Sequence, residues 1–228
     1  MTVFVAGATG FTGRAVVQQL CEAGVPVVAH IRPESTQLEV SRQRFEALGA
    51  QVDTTPWTDE AMAARLAELQ PARVFALMGT TRRRMRAEGG SYDAVDFGLT
   101  RMLIDAVVAA GCVERLVYLS SMWVRPGTRN AYLRARANSE AHLMASGLGW
   151  TIARPAIITG ERDRRRAGEH YGAKLMDGAL SAAALLGGGK LRARYRSTND
   201  QRLAAALIRL SADPQWHNKT ALGEDLGS

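Results

Sequence analysis

The chain has 228 residues, of which 46% are hydrophobic and 22% charged. That length and balance can bury a sizeable core, and they exclude a disordered chain, a collagen-like fibre and a cysteine-rich secreted scaffold. Lys+Arg total 29 against 22 Asp+Glu, a net charge of +7, and since the lysines are Lys174, Lys190 and Lys219, 26 of the cations are arginines. Such a balance points to an anionic partner (nucleic acid, acidic lipid or a phosphorylated small molecule) or to an arginine-rich solvated surface, and arginine suits phosphate because its planar fork can meet two oxygens at once.

Short apolar runs at residues 3–6, 25–31, 50–53, 74–78, 116–119 and 150–153 lack polar alternation, as strands buried on both faces do. Amphipathic stretches at 14–23, 59–69, 96–110 and 132–145 lie between them. Leu99, Met102, Leu103 and Ala106 repeat at helical spacing, and Gly111 is placed to stop that helix. This alternation predicts an α/β fold, a Rossmann-type doubly wound parallel sheet with right-handed connections. After Pro155 the pattern changes. Residues 159–168 read as a polar, arginine-rich loop, 171–186 as a helix ended by the glycines at 187–189, and 201–210 as a helix capped by Asn199 or Asp200. The expectation is one domain over 1–228, with 156–228 contributing a small C-terminal substrate cap.

Cys21 and Cys112 form no CxxC pair and have no metal-ligand neighbour, so both are expected to be buried free thiols. The histidines His30, His142, His170 and His217 are scattered, and no metal site is expected. No apolar run approaches the ~18 residues of a membrane span, and no basic segment precedes a long apolar one, so a cytoplasmic protein is expected.

Gly7-Ala8-Thr9-Gly10-Phe11-Thr12-Gly13 follows the first strand and opens the first helix. A pyrophosphate sits on a helix N-terminus when the backbone can approach it closely. Gly7 permits the turn, Gly10 removes a Cβ from the phosphate side, and Gly13 lets helix and strand pack. Strand, loop and helix come in the order a dinucleotide site needs. The second strand ends His30-Ile31-Arg32-Pro33, without the acid that would accept from a ribose 2′-hydroxyl. Arg32, with Arg14 as a second candidate, suits a 2′-phosphate, so NADP(H) is favoured over NAD(H).

Ser120 and Ser121 stand at the end of the fifth strand, on the carboxyl edge where open α/β sheets bind ligands. Tyr132 begins the next helix, and Arg136 lies four residues on, along the same face. A tyrosine beside a fixed cation can protonate a carbonyl oxygen as hydride arrives, while a serine hydroxyl stabilises the developing charge.

With these residues the chain resembles the short-chain dehydrogenase/reductase superfamily, and within it the atypical, NmrA-like branch that includes the Tat-interacting-protein oxidoreductases. The resemblance runs over nearly the whole chain. Its motifs are GATGFTG at 7–13, MGTTR at 78–82, LSS at 119–121, YLRARANSE at 132–140, Arg154-Pro155, and GERDRRRAGE at 160–169. It implies Ser121 as the hydroxyl that orients substrate and Tyr132 as proton donor. It also implies Gly79 and Thr80 beside the cofactor, and Pro155 lining the nicotinamide. Three departures stand out. Arg136 occupies the place of the family's lysine, Asp96 the place of its helix asparagine, and Thr55-Pro56-Trp57 the stretch where an acid often stands near the adenine. Trp57 is then either a ring near the adenine or a packed surface tryptophan.

Arg82-Arg83-Arg84-Met85-Arg86 follows the fourth strand, Arg162 and the arginines at 164–166 extend that basic rim, and Arg192, Arg194 and Arg196 alternate. The first two groups read either as an anion-steering rim or as a solvated loop, and the alternating trio as edge protection on one face of a strand. His170-Tyr171 falls within the expected cap. No helix-turn-helix, zinc or RNP signature occurs, and with aromatics at 6% no base-stacking surface is expected, so nucleic acid is not an expected partner. Two readings remain. One is an NADPH-dependent reductase of a small carbonyl or quinone-like substrate, a monomer or homodimer, in which Tyr132 donates the proton, Ser121 holds the oxygen, and Arg136 supports Tyr132 and holds the ribose. The other is a catalytically weak or inactive NADP(H)-binding redox sensor, favoured by arginine in the lysine place.

Overall fold

Strand β1 (Val3–Ala6) is buried at every position, as an unalternating apolar run must be in a sheet covered on both faces. The computed structural model describes residues 1–79, 91–156, 158–159 and 198–227. After β1 come α1 (Phe11–Glu22), β2 (Val27–His30), α2 (Leu38–Ala47), β3 (Gln51–Asp53), α3 (Asp59–Leu69) and β4 (Arg73–Ala76). A π-helical segment (Asp93–Gly98) then runs into α4 (Leu99–Ala110), followed by β5 (Arg115–Leu119), α5 (Ala131–Ala145) and β6 (Trp150–Ala153). The last elements are a two-residue ladder of β7 (Ile158–Thr159) with β8 (Thr198–Asn199), α6 (Asp200–Ala212), a 3-10 turn (Pro214–Trp216) and β9 (Lys219–Ala221).

Seven strands form one parallel sheet in the order β3-β2-β1-β4-β5-β6-β9. The order reverses between β1 and β4, which opens a crevice at their carboxyl ends. Alternate side chains of β1 enter opposite cores. Val3 and Val5 join α1 and α6 through Val16, Leu20, Leu203 and Leu207, whereas Phe4 and Ala6 join α3 and α4 through Met62, Leu66, Ile104 and Val107. The expected doubly wound α/β architecture is therefore the observed one.

Local signals explain most boundaries. Thr58 caps α3 by accepting from the Ala61 amide, and Asn199 caps α6 by accepting from the Arg202 amide. Gly111 ends α4 in the left-handed region, φ 66°. Helix α2 was not foreseen, because its sequence is polar and Phe45 is its buried residue. Strand β9 was missed for a related reason: three residues with a buried Ala221 carry no apolar run.

Two expectations are revised, and a third falls outside the described residues. Residues 200–221 do not sit over the strand ends as a cap. Helix α6 packs on α1, and β9 extends the sheet beside β6, because Leu203, Leu207 and Leu210 supply an apolar face that the sheet can bury. Cys21 and Cys112 are free thiols but only half-buried, since both sit near helix ends. The predicted loop at 159–168, the helix at 171–186, its glycine stop and the arginines at 192–196 lie outside the described residues, apart from Thr159, which pairs in β7.

Gly13 is required by packing: a Cβ there would lie 2.2 Å from the Gly7 carbonyl oxygen. Gly13→Ala is expected to destabilise the fold by about 3 kcal/mol, read from the denaturant midpoint, because the clash is with backbone that has no rotamer to move.

His30, at the end of β2, is 3% exposed, and its Nε2 donates to the Thr55 carbonyl at 2.9 Å. Burial pushes its pKa below the ordinary 6.5, against smaller raising effects of Thr55, Asp53 and Glu34. The unfolded chain therefore takes up a proton near pH 6.5 that the folded chain resists, so stability falls as the pH drops through that region. Denaturant midpoints at pH 7.5 and 5.5 are expected to differ more for the unmodified protein than for His30→Gln.

Candidate functional site: a dinucleotide crevice

The glycine loop lies at the carboxyl end of β1, where the strand order reverses. Gly10 is the N-cap of α1 and carries no capping side chain, and no acidic residue stands in the first turn. The Gly10 amide donates to the Gly7 carbonyl at 2.9 Å, which fixes the turn. Gly7 has φ 82°, and a Cβ there would strike the Leu77–Met78 backbone at 2.7–2.8 Å. Any other residue would push the loop off the end of β4. A tight backbone loop on a helix N-terminus without a competing carboxylate fits a pyrophosphate. Thr9 is exposed, Phe11 half-buried and Thr12 buried.

Beyond β2, Arg32 is half-buried, and its carbonyl accepts from the Ser35 amide at 3.0 Å, so it sits at the head of a turn beside the crevice. Arg14 is half-buried in the first turns of α1 and is engaged within the protein. Two acids lie in this region: Glu34, exposed two residues beyond Arg32, and Asp53, at the end of β3. Asp53 is 4% exposed and accepts from Arg65 Nε at 2.7 Å and from the Thr55 amide and hydroxyl at 3.1 Å each. Its oxygens are committed to the fold. Trp57 is the packed tryptophan of the two alternatives: its ring lies 4.8 Å from the His30 ring and rests on the core beneath the sheet.

Arg136 anchors the other half of the crevice. It is 5% exposed. Its Nη1 donates to the Leu119 carbonyl at 2.7 Å and the Tyr118 hydroxyl at 3.2 Å, and its Nη2 donates to the Met78 carbonyl at 3.3 Å. Nη2 also lies 2.9 Å from Asp96 Oδ1, and Asp96 is fully buried in the π-helical segment. Gly79 makes room for this: a Cβ at that position would sit 2.6 Å from Nη2. The guanidinium lies 5.3 Å from the Tyr132 ring centroid and 5.6 Å from that of Tyr118. Burial works against the charge, but Tyr118, Tyr132 and Asp96 together hold the Arg136 pKa above the ordinary arginine value. Burial likewise pushes the Tyr118 phenol up, more than Arg136 pulls it down.

Ser120 and Ser121 diverge at the end of β5. Ser120 is buried and donates to Glu140 Oε1 at 2.5 Å. Glu140, on α5, also accepts from Arg154 Nε at 3.0 Å and from Arg154 Nη2. Ser121 is half-buried, and Tyr132 is half-buried with its ring edge-on to Tyr92 at 5.3 Å. Pro155 is buried, and its carbonyl accepts from the Met122 amide at 3.0 Å, which ties the end of β6 to the segment after β5. The structure thus brings Gly79, Ser120, Ser121, Tyr132, Arg136 and Pro155 to one edge of the sheet, and the glycine loop and Arg32 to the neighbouring part of that edge. Thr80, Arg82–Arg86, Arg162, the arginines at 164–166 and His170-Tyr171 lie outside the described residues.

The Ser120–Glu140–Arg154 cluster has no counterpart among the sequence expectations, although Tyr132, Arg136 and Glu140 recur at four-residue spacing on one helix face. That periodicity could have flagged Glu140. No sequence signal pointed to the Tyr118 hydroxyl, which the strand pattern marks only as a core aromatic. Among the described residues no cluster of His, Cys, Asp or Glu could hold a metal ion.

Residues 7–185 match the NAD(P)H-binding family model. A mitochondrial NADH dehydrogenase [ubiquinone] 1 alpha subcomplex subunit 9 of Arabidopsis thaliana is 25% identical over 163 residues, 72% of this chain. The chain spans 39% of that protein's length. The NADPH complex of leucoanthocyanidin reductase from Vitis vinifera superposes with a TM-score of 0.66 at 16% identity, over 96% of this chain and 67% of that one. A short-chain dehydrogenase/reductase superfamily protein from Agrobacterium tumefaciens with bound NAD gives 0.63 at 19% identity, over 98% and 77%. These two structures share the fold, and the family model covers most of the sequence. The glycine cradle at the head of α1 and the match over residues 7–185 together make this chain a member of the NAD(P)H-binding family.

Proposed function

We propose that the protein is a cytoplasmic NADPH-dependent reductase of a small carbonyl or quinone-like substrate, acting as a single domain to which part of the stretch after Pro155 contributes a substrate cap. The observation that carries this reading is that Ser121, past the end of β5, and Tyr132, in the first turn of α5 beside a guanidinium bound to the Leu119 carbonyl, lie on the same sheet edge as the glycine cradle. Gly7, Thr9, Gly10, Phe11, Thr12 and Gly13 would hold the pyrophosphate, with Arg32 and Arg14 at the 2′-phosphate and Gly79, Thr80 and Pro155 toward the nicotinamide, while Ser120, expected at the cofactor, is buried and spends its hydroxyl on Glu140. Bound NADPH supplies a hydride to the carbonyl carbon. As the carbonyl π pair moves onto oxygen, Tyr132 delivers its phenolic proton there and Ser121 holds that oxygen, and the phenolate then regains a proton from solvent.

Arg136 takes a different part from the ribose contact expected of a lysine in its place. Its donors meet Leu119, Tyr118, Met78 and Asp96, so it supports Tyr132 from below and shapes the ends of β4 and β5. The same engagement favours the second reading, an NADP(H)-binding redox sensor with little turnover, because no compact ammonium is left to bridge ribose hydroxyls.

Mixing the protein with NADPH and a panel of quinones and aldehydes, and following cofactor absorbance, separates the two. A reductase oxidises NADPH above background, and Tyr132→Phe lowers kcat by about 100-fold or more with NADPH affinity kept. NADPH binding with no oxidation by any panel member leaves the sensor reading. Cofactor choice has its own test. Arg32→Ala is expected to weaken NADPH about 10-fold while leaving NADH affinity within about 2-fold, since a charge-assisted phosphate contact is worth roughly 1.5–3 kcal/mol.

A further inference from the structure

Trp123 stands two residues beyond Ser121 with φ 64°, in the left-handed region, and is 59% exposed. A tryptophan there is strained, because its Cβ crowds the carbonyl that follows, and exposing its indole forgoes burial that a core position would gain. Its neighbours do the opposite. Met122 is 8% exposed and Val124 6%, and the Met122 amide is held by the Pro155 carbonyl at 3.0 Å. The chain therefore anchors itself on both sides and turns one large ring outward. The place where it does so lies between the end of β5, which carries Ser121, and the end of β6, which carries Pro155. Residues kept in a costly conformation cluster where a ligand is contacted.

We infer that Trp123 is a stacking platform for a planar aromatic substrate, so that the reductase proposed above prefers a ring-conjugated carbonyl such as a quinone over an aliphatic one. The inference rests on that reading for the identity of the ligand as substrate. An indole has only two rotatable side-chain bonds, so it offers a large π-surface at a low entropy cost on binding. Tyr132 and Tyr92, edge-on to each other at 5.3 Å, add aromatic surface on the same edge of the sheet.

The test measures binding of 2-methyl-1,4-naphthoquinone to the full chain with excess NADP+ present, so that no turnover intervenes. Trp123→Ala is expected to weaken the naphthoquinone at least 10-fold, Trp123→Phe to keep it within about 3-fold, and both to leave NADP+ affinity unchanged. Equal affinity in the alanine variant, or no binding by the unmodified protein, overturns the inference. A thermal melt of Trp123→Gly adds a second readout: glycine accepts this backbone, so the midpoint is expected to rise by about 2 °C, and a fall overturns the strain argument. The two readings fail separately. Trp123-dependent quinone binding without NADPH oxidation sinks the reductase and keeps the platform. Oxidation of NADPH by naphthoquinone and butanal with KM values unchanged in Trp123→Ala keeps the reductase and sinks the platform.

Discussion

A guanidinium can be buried only if its donors find oxygen and its charge finds a countercharge. Arg136 meets both demands by drawing three separate segments around itself: the end of β4 through Met78, the end of β5 through Tyr118 and Leu119, and the π-helical segment through Asp96. Two of these contacts are to backbone carbonyls at strand ends, so the positions of Gly79 and Ser121 follow from where the guanidinium sits. Breaking such a pair leaves an isolated buried charge, which makes the cluster a constraint that the crevice cannot shed. The π-helical widening beside it places Asp96 within reach, in keeping with the tendency of such irregular turns to occur at functional sites.

A second buried charge cluster works one strand along. Glu140 accepts from Ser120 and from the Nε–Nη2 edge of Arg154, so helix α5 is tied to the ends of β5 and β6. Tyr132, Arg136 and Glu140 recur every four residues on α5, so one helix face carries the half-buried phenol, the buried cation and the buried anion. The helix is thereby keyed to the sheet edge at two points, and Tyr132 is held at its first turn as a consequence. On the opposite side of the crevice the constraint is steric. The Gly7 and Gly13 positions have no room for a Cβ, and α1 begins where no carboxylate competes for its amides.

The parallel sheet was legible because period-free apolar runs have few other ways to be buried, and the glycine loop because closely packed backbone excludes every side chain. Ser121 and Tyr132 followed from strand-end and helix-start placement. The second layer was not legible. Glu140 and Arg154 look like surface charges until the fold brings residues 14 apart into a forked ion pair. Helix α2 and strand β9 carry too few apolar residues to announce themselves, and they form because neighbouring elements offer them an edge or a face.

The 26 arginines by themselves determined only a sign of charge. Residue order determined more: a glycine loop that fits a dinucleotide, no acid in the His30–Pro33 stretch that closes the second strand, and an arginine four residues beyond Tyr132. Tertiary structure decided what that arginine does. A side chain four residues beyond Tyr132 can turn toward a ligand or into the core. The choice depends on countercharges and carbonyls that lie 17, 18, 40 and 58 residues away in the chain, at Leu119, Tyr118, Asp96 and Met78. It also decided that Trp123 faces outward, because a positive φ is imposed by the anchored residues on either side and is written in no residue type.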